Sequence, residues 1–236
     1  MFGVTFGEKH SFRDWGLIPR SRPVISPPEA KTIYVDIPES DGMLDLTEML
    51  TGEVKYKNRN MTFEFNVMNE RSDWTSIYST ILNYLHAQRL RIVLDEDPNH
   101  FYMGRVKVDE WKSDKKTSVI QLSADVDPYK YEISSSLESW EWDTFNFEED
   151  YIRDYGNLMV DGQLDFTVYG SRKTVIPVFI VDSSDDTGMQ VIFENVTYNL
   201  QDGNNRVLNI RIKDGENDLT FLGNGTVSID YRGGSL

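Results

Sequence analysis

The chain has 236 residues, 39% of them hydrophobic and 12% aromatic, enough to bury a sizeable core and long enough for one large β domain or two ordinary ones. It contains no cysteine, which excludes a disulfide framework, thiol chemistry and Cys-ligated zinc. Its formal charge of −15 is unevenly spread: residues 1–130 hold 17 basic and 20 acidic residues, residues 131–236 hold 7 and 19. That asymmetry predicts a domain boundary near 130, and it argues against a polyanion partner for the second half, because affinity for phosphates comes mostly from Lys and Arg. No run of about eighteen apolar residues predicts a membrane span, and the opening MFGVTFGEKHSF lacks the charged-then-apolar design of a secretion signal.

The first residues read as short strand material, Phe2, Val4 and Phe6, followed by Trp15-Gly16-Leu17-Ile18. Pro23, Pro27 and Pro28 then mark an extended arm or sheet edge, since proline cannot donate to a ladder. Thr32–Ile37 alternates as a strand. Asp45 with Glu48 fits a capping box, which predicts a helical turn carrying Leu46, Met49 and Leu50 and stopped at Gly52. From Glu53 to Asn69 the period is two, with Phe63, Phe65 and Val67 on one face.

Between Ser72 and Gln88 the period changes. Trp74, Ile77, Tyr78, Ile81, Leu82 and Leu85 recur at steps of three and four, the signature of an amphipathic helix over about 72–88 with Ser72 or Asp73 as N-cap and Arg89 and Arg91 near its C-terminus. A lone helix with one apolar face, set among strands, needs a sheet to cover it. Strands over Leu90–Leu94, Tyr102–Trp111 and Ser118–Val126 complete an α+β domain, a β-sandwich or split barrel with one packed helix, ended by Asp127-Pro128. Beyond it lies the acidic and aromatic passage SWEWDTFNFEEDY. Short strands follow at Leu164–Tyr169, Thr174–Val181, Met189–Phe193, Val207–Ile212, Leu219–Phe221 and Val227–Tyr231, with turn residues at Gln201 to Asn204 and at Gly223-Asn224-Gly225. These predict an antiparallel sandwich over 131–236 in a mainly β chain.

No catalytic constellation stands out. His10, His86 and His100 are scattered without metal-ligand spacing, the Asp95–Asp97 and Asp182–Asp186 runs do not follow a calcium-loop pattern, and no phosphate-binding glycine motif occurs. Asn195-Val196-Thr197 matches a glycosylation acceptor only formally. Trp140 and Trp142, with Phe145 and Phe147, admit two readings: a sugar platform beside carboxylates, or one buried face of strands at period two.

Taken in order, Ser21-Arg22-Pro23, Pro27-Pro28-Glu29, Val35-Asp36-Ile37-Pro38, Leu44-Asp45-Leu46-Thr47-Glu48, Leu50-Thr51-Gly52, Tyr56-Lys57-Asn58-Arg59, Asn83-Tyr84-Leu85-His86, Tyr102-Met103-Gly104-Arg105 and Asp127-Pro128-Tyr129-Lys130 resemble the distal tail protein (Dit) family of long-tailed phages and prophages of Gram-positive bacteria. The closing Ser228–Leu236 is similar to that family's tail end. The resemblance implies a non-enzymatic virion protein at the tail tip, without cofactor or metal. It also implies a homo-hexameric ring between the tail tube protein and the tail-associated fibre or lysin protein, with receptor-binding parts at the periphery and DNA passing through without specific binding. It implies a ring-forming domain over 1–130 and a galectin-like, outward-pointing domain over 131–236. From the residues themselves, Pro27, Pro28, Leu44, Leu46, Met49 and Leu50 are the candidate subunit interface. Trp140 and Trp142 are the candidate platform of the alternative function, binding of host cell-surface glycans.

Overall fold

The computed structural model describes residues 3–49, 51–138, 154–183 and 188–236. The chain divides into two compact units, Met1–Lys130 together with Leu236, and Tyr131–Ser235. Both are built on curled antiparallel sheets with few short helices, so the chain is mainly β.

The first unit runs β1 (Val4–Phe6), β2 (Lys9–His10), α1 (Ser11–Trp15), β3 (Leu17–Pro19), β4 (Val24–Ile25), β5 (Tyr34–Asp36), β6 (Met43–Asp45), β7 (Arg59–Val67), α2 (Trp74–Leu85), β8 (Arg89–Leu94), β9 (Asp97–Ser113) and β10 (Ser118–Val126). Its main sheet has the order β2-β1-β8-β9-β10-β7-β3, with β4 also on β7. Period-two patterning decides which face is buried: Met61, Phe63 and Phe65 of β7 point inward, as do Ile120, Leu122, Ala124 and Val126 of β10. They share one core with Phe6, Leu17, Ile92, Val106 and the Ile81 and Leu85 side chains of α2. Each such side chain is worth about 1.5–3 kcal/mol on removal from water.

Two local expectations need correction here. Helix α2 is shorter than 72–88, because the Ser72 hydroxyl lies 3.2 Å from Asp73 Oδ1 and no side chain caps the first turn. At its far end β9 captures the backbone, with Ala87 N–H donating to Val106 O and Val106 N–H to Gln88 O, so Arg89 and Arg91 belong to a strand. The turn expected after Asp45 forms without lengthening into a helix: Asp45 pairs with Tyr34 in a β5–β6 hairpin, its carboxylate accepts the Thr47 N–H at 2.9 Å, Met49 N–H donates to Leu46 O at 3.1 Å, and Gly52, at φ 68°, closes it with its N–H on Glu48 O at 2.7 Å. Conversely, α1 was not expected. The His10 imidazole caps it, Nδ1 accepting from Phe12 N–H and Arg13 N–H, and histidine is not among the usual capping residues.

The second unit runs β11 (Lys130–Glu132), β12 (Leu158–Gly170), β13 (Val178–Ser183), β14 (Met189–Phe193), β15 (Val196–Leu200), β16 (Gly203–Asn205), β17 (Gly215–Asp230) and β18 (Gly234–Ser235). Strand β13 starts late because Pro177 has no N–H to offer. Residues 207–212 make only the isolated bridge Val175–Ile212, whereas 196–200 is a true strand, so the expectation for 207–212 fails and β15 replaces it. The largest correction lies at Gly223-Asn224-Gly225, read above as a turn. Strand β17 passes straight through it, paired with β12 along its whole length from Gly170–Gly215 to Leu158–Val227. On its other edge β17 pairs with β14 at residues 220–222 and with β13 at 225–230. The glycines sit where that neighbour changes, at φ 135° and 134°, a backbone region that other residues rarely adopt. Asn224 Oδ1 accepts the Gly162 N–H at 3.0 Å across the same kink. Phe179, Val191, Phe221, Val227 and Ile229 form the centre of this unit's core.

Candidate functional site

Between Leu17 and Met61 no described hydrophobic residue is buried. The chain there leaves the sheet and returns to it. Ser26 N–H donates to Asn60 O at 3.0 Å, then Lys57 N–H reaches Glu29 O at 2.8 Å and Lys31 N–H reaches Lys55 O at 2.7 Å, so two antiparallel legs run outward together. They end in the β5–β6 hairpin, registered as Tyr34–Asp45, Val35–Leu44 and Asp36–Met43 and closed by Leu46 N–H on Ile33 O at 2.8 Å. Every residue of both hairpin strands is exposed.

The composition of this ribbon does not match its exposure. Ile33, Tyr34, Val35, Ile37, Met43, Leu44 and Met49 are all large, apolar and open to solvent, Met49 at 75% and Met43 at 63%. A two-stranded ribbon without a core is marginal in water, and a contiguous apolar patch on a soluble unit marks a surface that another body covers. A groove of about 700 Å³ runs along its base, lined in part by Ala30, Leu44, Leu46, Met49 and Val54.

Of the candidate interface residues, Leu44, Leu46 and Met49 therefore meet at one groove, with Leu46 half-buried. Pro27 is exposed and Pro28 half-buried on the legs, outside the groove lining. Leu50, Trp140 and Trp142 lie outside the described residues. Ile33, Tyr34, Val35, Ile37 and Met43 were missed. The alternation of TIYVDI predicts a strand but not what covers it, so nothing local marks that strand as bare on both faces.

The ionisable groups serve the fold. His10 Nε2 lies 3.1 Å from Asp95, His86 Nδ1 accepts the Val108 N–H at 3.2 Å, and His100 Nδ1 lies 2.6 Å from Asp97. Hydrogen bonding by His100, reinforced by Lys130 at 2.8 Å, holds the Asp97 carboxyl down at about 2. Arg59 is the odd group: it is buried, its guanidinium stands 5.0 Å over the Tyr102 ring, and its Nε and Nη2 have no hydrogen-bond partner. Burial lowers its pKa. Among the described residues no group of three or more His, Asp or Glu is placed to hold a metal ion, and no helix is long and apolar enough to cross a membrane.

No family model matches the sequence, and no curated protein matches it. Among solved structures, the chain is similar to the SPP1 Dit (gp 19.1) protein, with a TM-score of 0.61 and 12% identity over 98% of this chain and 99% of that one. The crystal structure of that protein is presented as a paradigm of the hub adsorption apparatus in phages infecting Gram-positive bacteria. The likeness is one of fold, end to end: this chain is folded as a Dit protein is.

Proposed function

We propose that the chain is a structural component of a phage tail tip, a hexameric ring-forming adaptor between the tail tube protein and the tail-associated fibre or lysin protein. The observation that carries this reading is the match of fold to SPP1 Dit across 98% of the chain. The bare ribbon supports it, because a subunit that closes on copies of itself needs a surface left unsatisfied in the single chain. In this reading Pro27, Pro28, Leu44, Leu46, Met49 and Leu50 form part of the contact between subunits, joined by Tyr34, Val35 and Met43. The first unit builds the ring, the acidic second unit faces outward beside receptor-binding parts, and no bond is made or broken.

DNA passes such a ring without adhering. On the outer face of β8 and β9, Arg89 stands opposite Arg105, yet Asp127 binds Arg89 at 2.8 Å and Asp125 faces Arg105 from β10, so acids interleave the bases.

Mass measurement and negative-stain microscopy on the pure chain test the reading. Six-fold rings, or a concentration-dependent equilibrium towards them, are expected, and the double variant Leu44→Asp, Met49→Asp should remain a folded monomer. A wild-type chain that stays monomeric even when mixed with its tail tube protein overturns it.

A further inference from the structure

His10 is buried, 8% exposed, and both of its ring nitrogens are engaged. Nδ1 accepts the N–H groups of Phe12 at 3.2 Å and Arg13 at 3.1 Å and so caps α1. Because two donors point at it, Nδ1 presents its lone pair, and the one ring hydrogen of the neutral imidazole stands on Nε2, directed at Asp95 Oδ2 3.1 Å away. The cap therefore fixes the tautomer. Gly3 makes room for the arrangement, since a Cβ there would stand 2.4 Å from Nε2 and 2.6 Å from Asp95 Oδ2. Asp95 faces the ring from the turn after β8, and Gly3 and Thr5 on the β1 side carry no charge. On the chain's own side Asp14 accepts the His10 N–H at 2.8 Å and pairs with Lys9 at 3.0 Å.

We infer that His10 is a proton-operated latch on the N-terminal segment. A second proton has one place to go: it turns Nδ1 from acceptor into donor, facing two backbone N–H groups, and both cap bonds are lost. The charged ring is not orphaned, because Asp95 stands on Nε2 and holds an imidazolium more firmly than a neutral ring. There are thus two states, a neutral ring seated on α1 and a charged ring that has left the helix and stays tied to Asp95. Asn or Ser would cap the helix without regard to pH, whereas histidine caps it only while neutral. The opening reaches beyond one turn. Ser11 Oγ accepts the buried Val4 N–H at 3.1 Å, and Trp15 packs in the core with its ring 6.4 Å from that of Phe6, so loosening α1 also loosens its grip on β1.

Hydrogen–deuterium exchange read by mass spectrometry on the full chain, between pH 8 and pH 5 and corrected for the intrinsic rate, tests it. The measurement does not depend on whether rings form, so this inference and the ring reading fail separately. Protection of peptides covering residues 11–16 should fall at least tenfold from pH 8 to pH 5 in the wild type. His10→Asn, which caps without titrating, should keep equal protection at both, and His10→Ala should show the low protection at both. If His10→Asn does not fold, Asp95→Asn, at an exposed position, should move the midpoint of the transition to lower pH, because the charged ring loses its anchor. Equal protection of the wild type at the two pH values, the same loss in His10→Asn, high protection at pH 8 in His10→Ala, or a midpoint that Asp95→Asn leaves in place each overturns the proposal.

Discussion

The ring of Tyr78 lies stacked on that of Trp111, centroids 4.6 Å apart and planes within 15°. Trp111 in turn donates its indole N–H to Ser118 Oγ on β10. The pair fixes the helix to β9 at its middle, while Ile81 and Leu85, both fully buried, carry the apolar stripe below. Truncation of Leu85 to Ala should cost about 2–5 kcal/mol, through lost burial and the cavity left behind. Urea denaturation checks this; a loss below about 0.5 kcal/mol would mean that the stripe is not packed.

Gly16 ends α1 in the left-handed conformation, φ 66°, and its N–H closes on Phe12 O at 2.9 Å. A Cβ there would stand 2.3 Å from Asn69 Oδ1. Gly16→Ala therefore meets both backbone strain and a collision, and we expect a loss of at least about 1–2 kcal/mol in thermal unfolding.

Asp97 gives the first unit an acid limb. Its folded carboxyl sits at about 2 against an ordinary 3.8, so the stability it contributes is fully present above pH 4 and is lost as pH falls from there towards 2. The size is about 1–2 kcal/mol. Denaturation between pH 2 and 6 should show this limb in the wild type and its absence in Asp97→Asn, which should also be less stable at pH 7.

Arg59 is expected to behave in the opposite way. A buried guanidinium with two unpartnered nitrogens bears a desolvation cost that one contact with Tyr102 offsets only in part. Arg59→Met keeps the length of the stem and removes the charge, and should leave the denaturation midpoint unchanged or raise stability by up to about 2 kcal/mol. A loss of more than about 1 kcal/mol would show that the cation contributes net stability where it stands.

The mainly β class and the placement of α2 were legible because they rest on long periodic stretches: seven of nine residues in each of β7 and β10 alternate as their burial does. What failed was short and contextual. Helix α1 has only five residues and a histidine cap, too little for a period to register. Gly223-Asn224-Gly225 has the composition of a turn, and nothing local distinguishes a reversal from a strand that changes neighbours. The ribbon was half legible: prolines and the isolated segment pointed to an arm, and Leu44, Leu46 and Met49 meet in one groove, but the exposure of Tyr34, Val35 and Met43 depends on the absence of covering strands, a property of the whole fold.

Strand β17 has a consequence for how the second unit comes apart. Every residue of β12 is zipped to it on one side, and β13 and β14 share its other side end to end. None of these three can detach from its neighbour without exposing part of the same backbone, so the unit has no strand that peels away cheaply at the centre. Exchange of the amides bonded between β17 and β12, β13 or β14 should therefore follow one common opening event, with the kink at the two glycines as a joint within that block.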